Sequence, residues 1–141
     1  MPGRFFCGAP GQRASDSFGS VLQRATPILL VALGGALGAV ARFLVAAGFA
    51  RRLGTGWPWG TLFINLTGCF LIAVFAARLT SPPLRYLLPV GFIGAYTTFS
   101  TFEYETMRLF EVGQPGGAVA YILASNLLGF GAVLLGNWVG R

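Results

Sequence analysis

The run Gly94-Ala95-Tyr96-Thr97-Thr98-Phe99-Ser100-Thr101-Phe102 places four hydroxyl side chains in five positions inside an otherwise apolar stretch. Ser and Thr compete for backbone hydrogen bonds and favour helix starts over helix interiors. Two conformations suit such a run. In one, the helix is continuous and the hydroxyls bond back to their own carbonyls. In the other, the helix stops and starts again, and Ser100 with Glu103 has the spacing of a capping box for the restart. A helix that stops leaves carbonyls carrying partial negative charge, and one that starts leaves N–H groups carrying partial positive charge. Broken membrane helices use those ends to hold cations and anions respectively. The second conformation therefore expects a cation site near Gly94 to Thr97 and anion-friendly groups just after it.

The other candidates each carry two readings. Phe99 and Phe102, three apart, share a helix face. They pack against lipid or core, or they turn their electropositive ring edges toward a desolvated anion. Asn65, with Thr61 one turn before it, either bridges helices or offers N–H donors to an ion. Tyr121 and Ser125 are four apart with Gly129 continuing their face, which makes a polar track or a set of inter-helix hydrogen bonds. Arg42 is the charge set deepest in an apolar run; it is functional by default or snorkels to the interface.

These residues need a scaffold, and the composition dictates a membrane one. Of 141 residues 55% are hydrophobic, against ten Arg and four acidic side chains. A soluble domain of this length needs roughly twice that charged fraction. No charge falls between Arg24 and Arg42, between Arg52 and Arg78, or between Glu111 and Arg141. Apolar stretches of about 18 or more residues read as transmembrane helices. The net charge of +6 forms no basic stripe, so nucleic acid is not an expected partner, and the Arg residues serve as headgroup anchors. There is no His, and Cys7 and Cys69 sit in a tail and in an apolar run. Catalytic dyads, metal clusters and a disulfide have little to be built from, so an enzyme is not expected.

The chain divides into a mobile Gly/Ser/Arg-rich tail over residues 1–25 and a four-helix membrane domain over residues 26–141. The spans run from about Pro27 to Phe49, Gly60 to Ala77, Tyr86 to Phe102 (turning polar through Glu103, Glu105 and Arg108) and Ala118 to Val139. Gly34 and Gly38 supply the small-xxx-small spacing that lets helices approach closely. Arg24, Arg78, Arg85 and Arg141 fall on one side of this arrangement, and Arg51, Arg52 and Arg108 on the other. So weak a bias allows insertion both ways round, and hence an antiparallel dimer.

Three segments in order, Gly34-Gly35-Ala36-Leu37-Gly38-Ala39-Val40-Ala41-Arg42-Phe43, Gly60-Thr61-Leu62-Phe63-Ile64-Asn65-Leu66-Thr67-Gly68 and Gly91 through Phe102, resemble the Fluc/CrcB family of fluoride channels. The Thr-Thr-Phe-Ser-Thr-Phe run is the most specific element, and residues 1–25 lie outside the resemblance. It implies an all-α membrane protein whose third of four helices is broken, assembled as a dual-topology homodimer in the cell inner membrane. It also implies two fluoride pathways and a structural, non-transported sodium ion. On this chain the sodium would be held by backbone carbonyls of Gly94 and Thr97. The pore phenylalanines would be Phe99 and Phe102, the pore amide Asn65, and the polar track Tyr121 and Ser125. Thr98 and Arg42 complete the expected pathway set, and Glu105 matches an acidic position after the Phe pair. Ala95 stands where the family commonly has a second Gly, and Tyr96 is bulkier than the usual residue there.

Fluoride is small and tightly hydrated, so a pore must replace its water with close donors. Asn65, Thr and Ser hydroxyls, Tyr121 and the aromatic edges are such donors, and no carboxylate is expected among them. The absence of acidic residues from Pro27 to Phe102 argues for passive, downhill exit of fluoride over proton-coupled export. A small dual-topology proton-coupled exporter and a non-transporting membrane scaffold are the rival readings. The first needs an embedded carboxylate, and the second leaves the polar track idle.

Overall fold

The computed structural model describes the backbone from residue 10 and side chains from residue 25. All described secondary structure is helical: α1 (Pro10–Leu53), α2 (Trp59–Arg78), α3 (Pro82–Arg85), a π-helical stretch (Tyr86–Ile93), α4 (Gly94–Tyr96), α5 (Phe99–Glu111) and α6 (Pro115–Gly140). The tail expected over residues 1–25 falls partly outside the described residues, as does Cys7. From residue 10 onward it coincides with the beginning of α1, which runs through Pro27.

Three segments are long and apolar enough to cross a membrane: Ala25–Leu53, Trp59–Arg78 and Pro115–Gly140. They correspond to the first, second and fourth expected spans. The third expected span is divided among α3, the π-helical stretch, α4 and the start of α5. The wide turn has a local cause in Pro89, inside the π-helical stretch. Its nitrogen cannot donate to the carbonyl four residues back and its ring crowds that carbonyl, so the helix opens to a looser hydrogen-bond spacing. The helices turn back at Gly54 and Gly113, both at φ +76°, where a side chain would be strained.

Two parallel pairs make the bundle. α1 lies along the π-helical stretch and α4, backbone against backbone. A methyl group on Gly34 would strike the Leu87 carbonyl, and one on Gly38 the Phe92 carbonyl. The small-xxx-small pattern is thus an interface between these two elements. α2 lies along α6, where Gly136 packs on Phe70 and Ala73 and Gly140 on Val74 and Ala77. The Arg78 guanidinium donates to the Val139 carbonyl at 2.7 Å, tying the two C-terminal ends together and compensating their dipoles. The buried cluster is small (Leu62, Phe102, Leu109, Ala118 and Tyr121), while Ile28, Leu33, Leu37, Val40, Phe43, Leu127, Phe130 and Trp138 face outward. An outer surface this apolar suits lipid and other apolar helices, not water.

Candidate ion pathway at the interrupted segment

α4 ends at Tyr96, Thr97 and Thr98 are extended (φ −77°, ψ 159° and φ −153°, ψ 117°), and α5 begins at Phe99. Of the two conformations open to the hydroxyl-rich run, the chain takes the interrupted one. Asn65 of α2 holds it open. Its Nδ2 donates to the Thr98 carbonyl at 3.1 Å, and its Oδ1 accepts from the Thr98 N–H at 2.9 Å. A side-chain amide thereby replaces the helical partners of both backbone polar groups of one residue.

Side chains take over two helical donors at the break. In an unbroken helix the Thr98 N–H would bond to the Gly94 carbonyl, and the Thr101 N–H to the Thr97 carbonyl. Here Asn65 captures the first. The Thr98 hydroxyl captures the second at 3.3 Å, acting as N-cap of α5, and donates to Thr101 Oγ1 at 3.0 Å. The carbonyls of Gly94 and Thr97 are therefore relieved of their helical donors and left with oxygen lone pairs to offer. The cap is Thr98, not Ser100: Asn65 draws the Thr98 peptide out of line, and the restart begins two residues earlier than the capping-box spacing suggested.

Arg42 and Thr98, far apart in sequence, line one cavity of about 280 Å³ together with Ala39, Phe43, Ala46, Thr61, Ile64 and Thr101. Thr61 also lines a larger cavity of about 540 Å³, which reaches Trp57, Trp59, Tyr104, Glu105, Arg108 and Gln114. Phe99 and Phe102 sit with ring centroids 5.8 Å apart but in unlike surroundings. Phe99 is 73% exposed, whereas Phe102 is 6% exposed and meets the Tyr121 ring edge-on at 5.0 Å.

The expectation that no carboxylate stands among the donors is corrected. α5 folds back across α2 and α6, which carries Glu105 between two of the hydroxyls. Thr61 Oγ1 donates to Glu105 Oε1 at 2.9 Å, and the Tyr121 hydroxyl donates to Oε2 at 2.9 Å. Tyr121 thus spends its proton on Glu105. Ser125, one turn along, has a buried Oγ with no hydrogen-bond partner among the described residues. The sequence placed Thr61 and Tyr121 on the right helix faces, but nothing in their spacing points to Glu105 as their common acceptor. Asn65, Thr98 and Arg42 are brought together around the break, and Phe102, Tyr121 and Glu105 form an adjoining group.

A profile of the family described as CrcB-like protein, Camphor Resistance (CrcB), matches residues 29–137. A protein of Acidobacterium capsulatum named fluoride-specific ion channel FluC is 56% identical over 118 residues, covering 80% of this chain and 94% of that one. Proteins of the same name from Nitrobacter winogradskyi (51% over 121 residues, 82% and 96% covered) and Geobacter sulfurreducens (45% over 120 residues, 82% and 94% covered) are also similar.

Proposed function

We propose, from the premise that this chain belongs to the CrcB family, that it is a fluoride-specific ion channel. It is a multi-pass membrane protein and works as a conduit, not as a catalyst. The observation that carries the reading is the interrupted segment itself: a helix restart at Thr98, held by Asn65, opening onto a cavity lined by Arg42 and three threonines. A small anion that loses its water there meets the Thr101 hydroxyl, the guanidinium of Arg42 and the positive end of α5. The rings of Phe99 and Phe102 lie beside that restart, and their edges serve the same anion.

The packing of the 82–96 stretch along α1, beside the three long apolar helices, supports a fourth crossing. The exposed apolar face of α1, with Phe99 and Gly94 also at the protomer surface, supports assembly as an antiparallel homodimer. The near balance of arginines at the two ends supports insertion in both orientations, in the inner membrane of the cell. The Gly94 and Thr97 carbonyls, relieved of their helical donors, suit a hard cation such as sodium. Bound there, a sodium ion supplies a fixed positive charge; the chain's own part is to present the carbonyls and keep the two halves of the segment apart.

The test is fluoride efflux from liposomes containing the purified protein, in sodium-containing buffer, read with a fluoride electrode. Rapid fluoride efflux with no matching chloride efflux is expected. Liposomes that hold their fluoride as tightly as protein-free ones refute the channel reading.

A further inference from the structure

We infer that Tyr96 and Thr67 are positioning residues for the cation end of the break: their hydroxyl pair fastens α4 to α2 and keeps the Gly94 and Thr97 carbonyls aligned. The inference rests on the sodium reading proposed above and deepens it.

The two hydroxyl oxygens lie 3.0 Å apart. Thr67 Oγ1 is also 2.8 Å from the Phe63 carbonyl and 3.1 Å from the Ile64 carbonyl. A hydroxyl has one hydrogen, and carbonyls only accept. The Thr67 hydrogen is therefore turned toward its own helix, and its lone pairs receive the Tyr96 O–H. Tyr96 is 7% exposed and stacks on Phe92 with centroids 5.8 Å apart and planes 14° from parallel, so its ring has one place to go.

α4 is three residues long, bounded by the π-helical stretch on one side and extended Thr97 on the other. It continues the π-helical stretch without a break, and the Thr97 N–H still bonds to the Ile93 carbonyl at 3.0 Å, but beyond Tyr96 the helical ladder stops. α2 grips three consecutive residues instead. Thr67 takes the Tyr96 hydroxyl, Gly68 takes the methyl of Thr97 against its backbone, and Asn65 takes the Thr98 peptide. Two of these grips flank Thr97, one of the carbonyls at issue. Neither Tyr96 nor Thr67 lines the cavity of Arg42 and Thr98. Their influence therefore falls on the cation end and leaves the anion-lining groups in place.

The experiment is fluoride efflux from proteoliposomes across a sodium series, with N-methylglucamine as the replacing cation. Tyr96→Phe and Thr67→Val are each expected to raise the half-activating sodium concentration by about five- to tenfold, the factor expected for one hydrogen bond. The double variant should shift it no further, Thr67→Ser should match the wild type, and the fluoride-over-chloride ratio at saturating sodium should not change. Thr67→Val keeps the branched shape and decides alone should Tyr96→Phe not yield folded protein. An unshifted half-activating concentration in the folded single variants, or additive shifts in the double, overturns the brace while leaving the sodium reading intact. Wild-type flux indifferent to sodium overturns the sodium reading, and the brace with it.

Discussion

Replacing Asn65 with Ala should close the interruption. The substitution deletes both bonds to the Thr98 peptide, at 2.9 and 3.1 Å. Each is worth about 0.5–1.5 kcal/mol net, and a buried peptide group stripped of its partner costs about 1–3 kcal/mol. Thr98 is buried, so its N–H has one economical alternative, a return to the Gly94 carbonyl and a continuous helix. The open arrangement should therefore lose roughly 2–3 kcal/mol relative to the continuous one, about 30- to 150-fold in their ratio. Fluoride efflux from proteoliposomes should fall, by up to that factor, while the protein still extracts as folded material. Asn65→Asp keeps the acceptor for the Thr98 N–H, so the break should survive. Its flux should still fall, because a carboxylate then stands beside the path. Wild-type flux in Asn65→Ala would refute the argument that this amide holds the break open.

Phe102→Ile, which removes the ring edge beside Tyr121, should slow fluoride efflux at least tenfold with little loss of folded yield; unchanged flux would make Phe102 a packing residue only. Gly34→Ala puts a methyl group into the Leu87 carbonyl and should destabilise the fold by about 1–3 kcal/mol, the usual range for overpacking, read as a lower melting temperature in detergent. Reporter fusions after Arg141 should give signal from both sides of the membrane; strong signal from one side alone would refute dual orientation.

The first, second and fourth spans were legible because uncharged runs of this length have no other stable home, and Gly34 and Gly38 announced a close helix contact without naming the partner. The hydroxyl-rich run announced an interruption. What it could not give was the residue at which the chain turns. That is decided by Asn65, 33 positions away, and it moves the cap from Ser100 to Thr98. The Thr61–Glu105 bond spans 44 positions and depends on how α5 folds back, so Glu105 could be seen as polar but not as the shared acceptor of two donors. Pro89 stands inside an apolar run, where hydropathy hides it, and its missing N–H is the local reason for the π-helical stretch. Contacts set by local propensity were readable, and those set by which helices lie side by side were not.

The interleaved pairing also fixes a timetable for biogenesis. α2 leaves the ribosome well before α6, the helix whose glycines it fits most closely, and α1 must wait for residues 86–96. The nascent chain therefore inserts helices whose main partners are still unmade, and each early span must be apolar enough to rest in lipid alone. Segments Ala25–Leu53 and Trp59–Arg78, both long and apolar enough to cross a membrane, meet that demand. The segment that cannot, the interrupted one, arrives after α1 and α2 are both in place to receive it. The polar break thus meets Asn65 and Thr67 of α2 as soon as it is made.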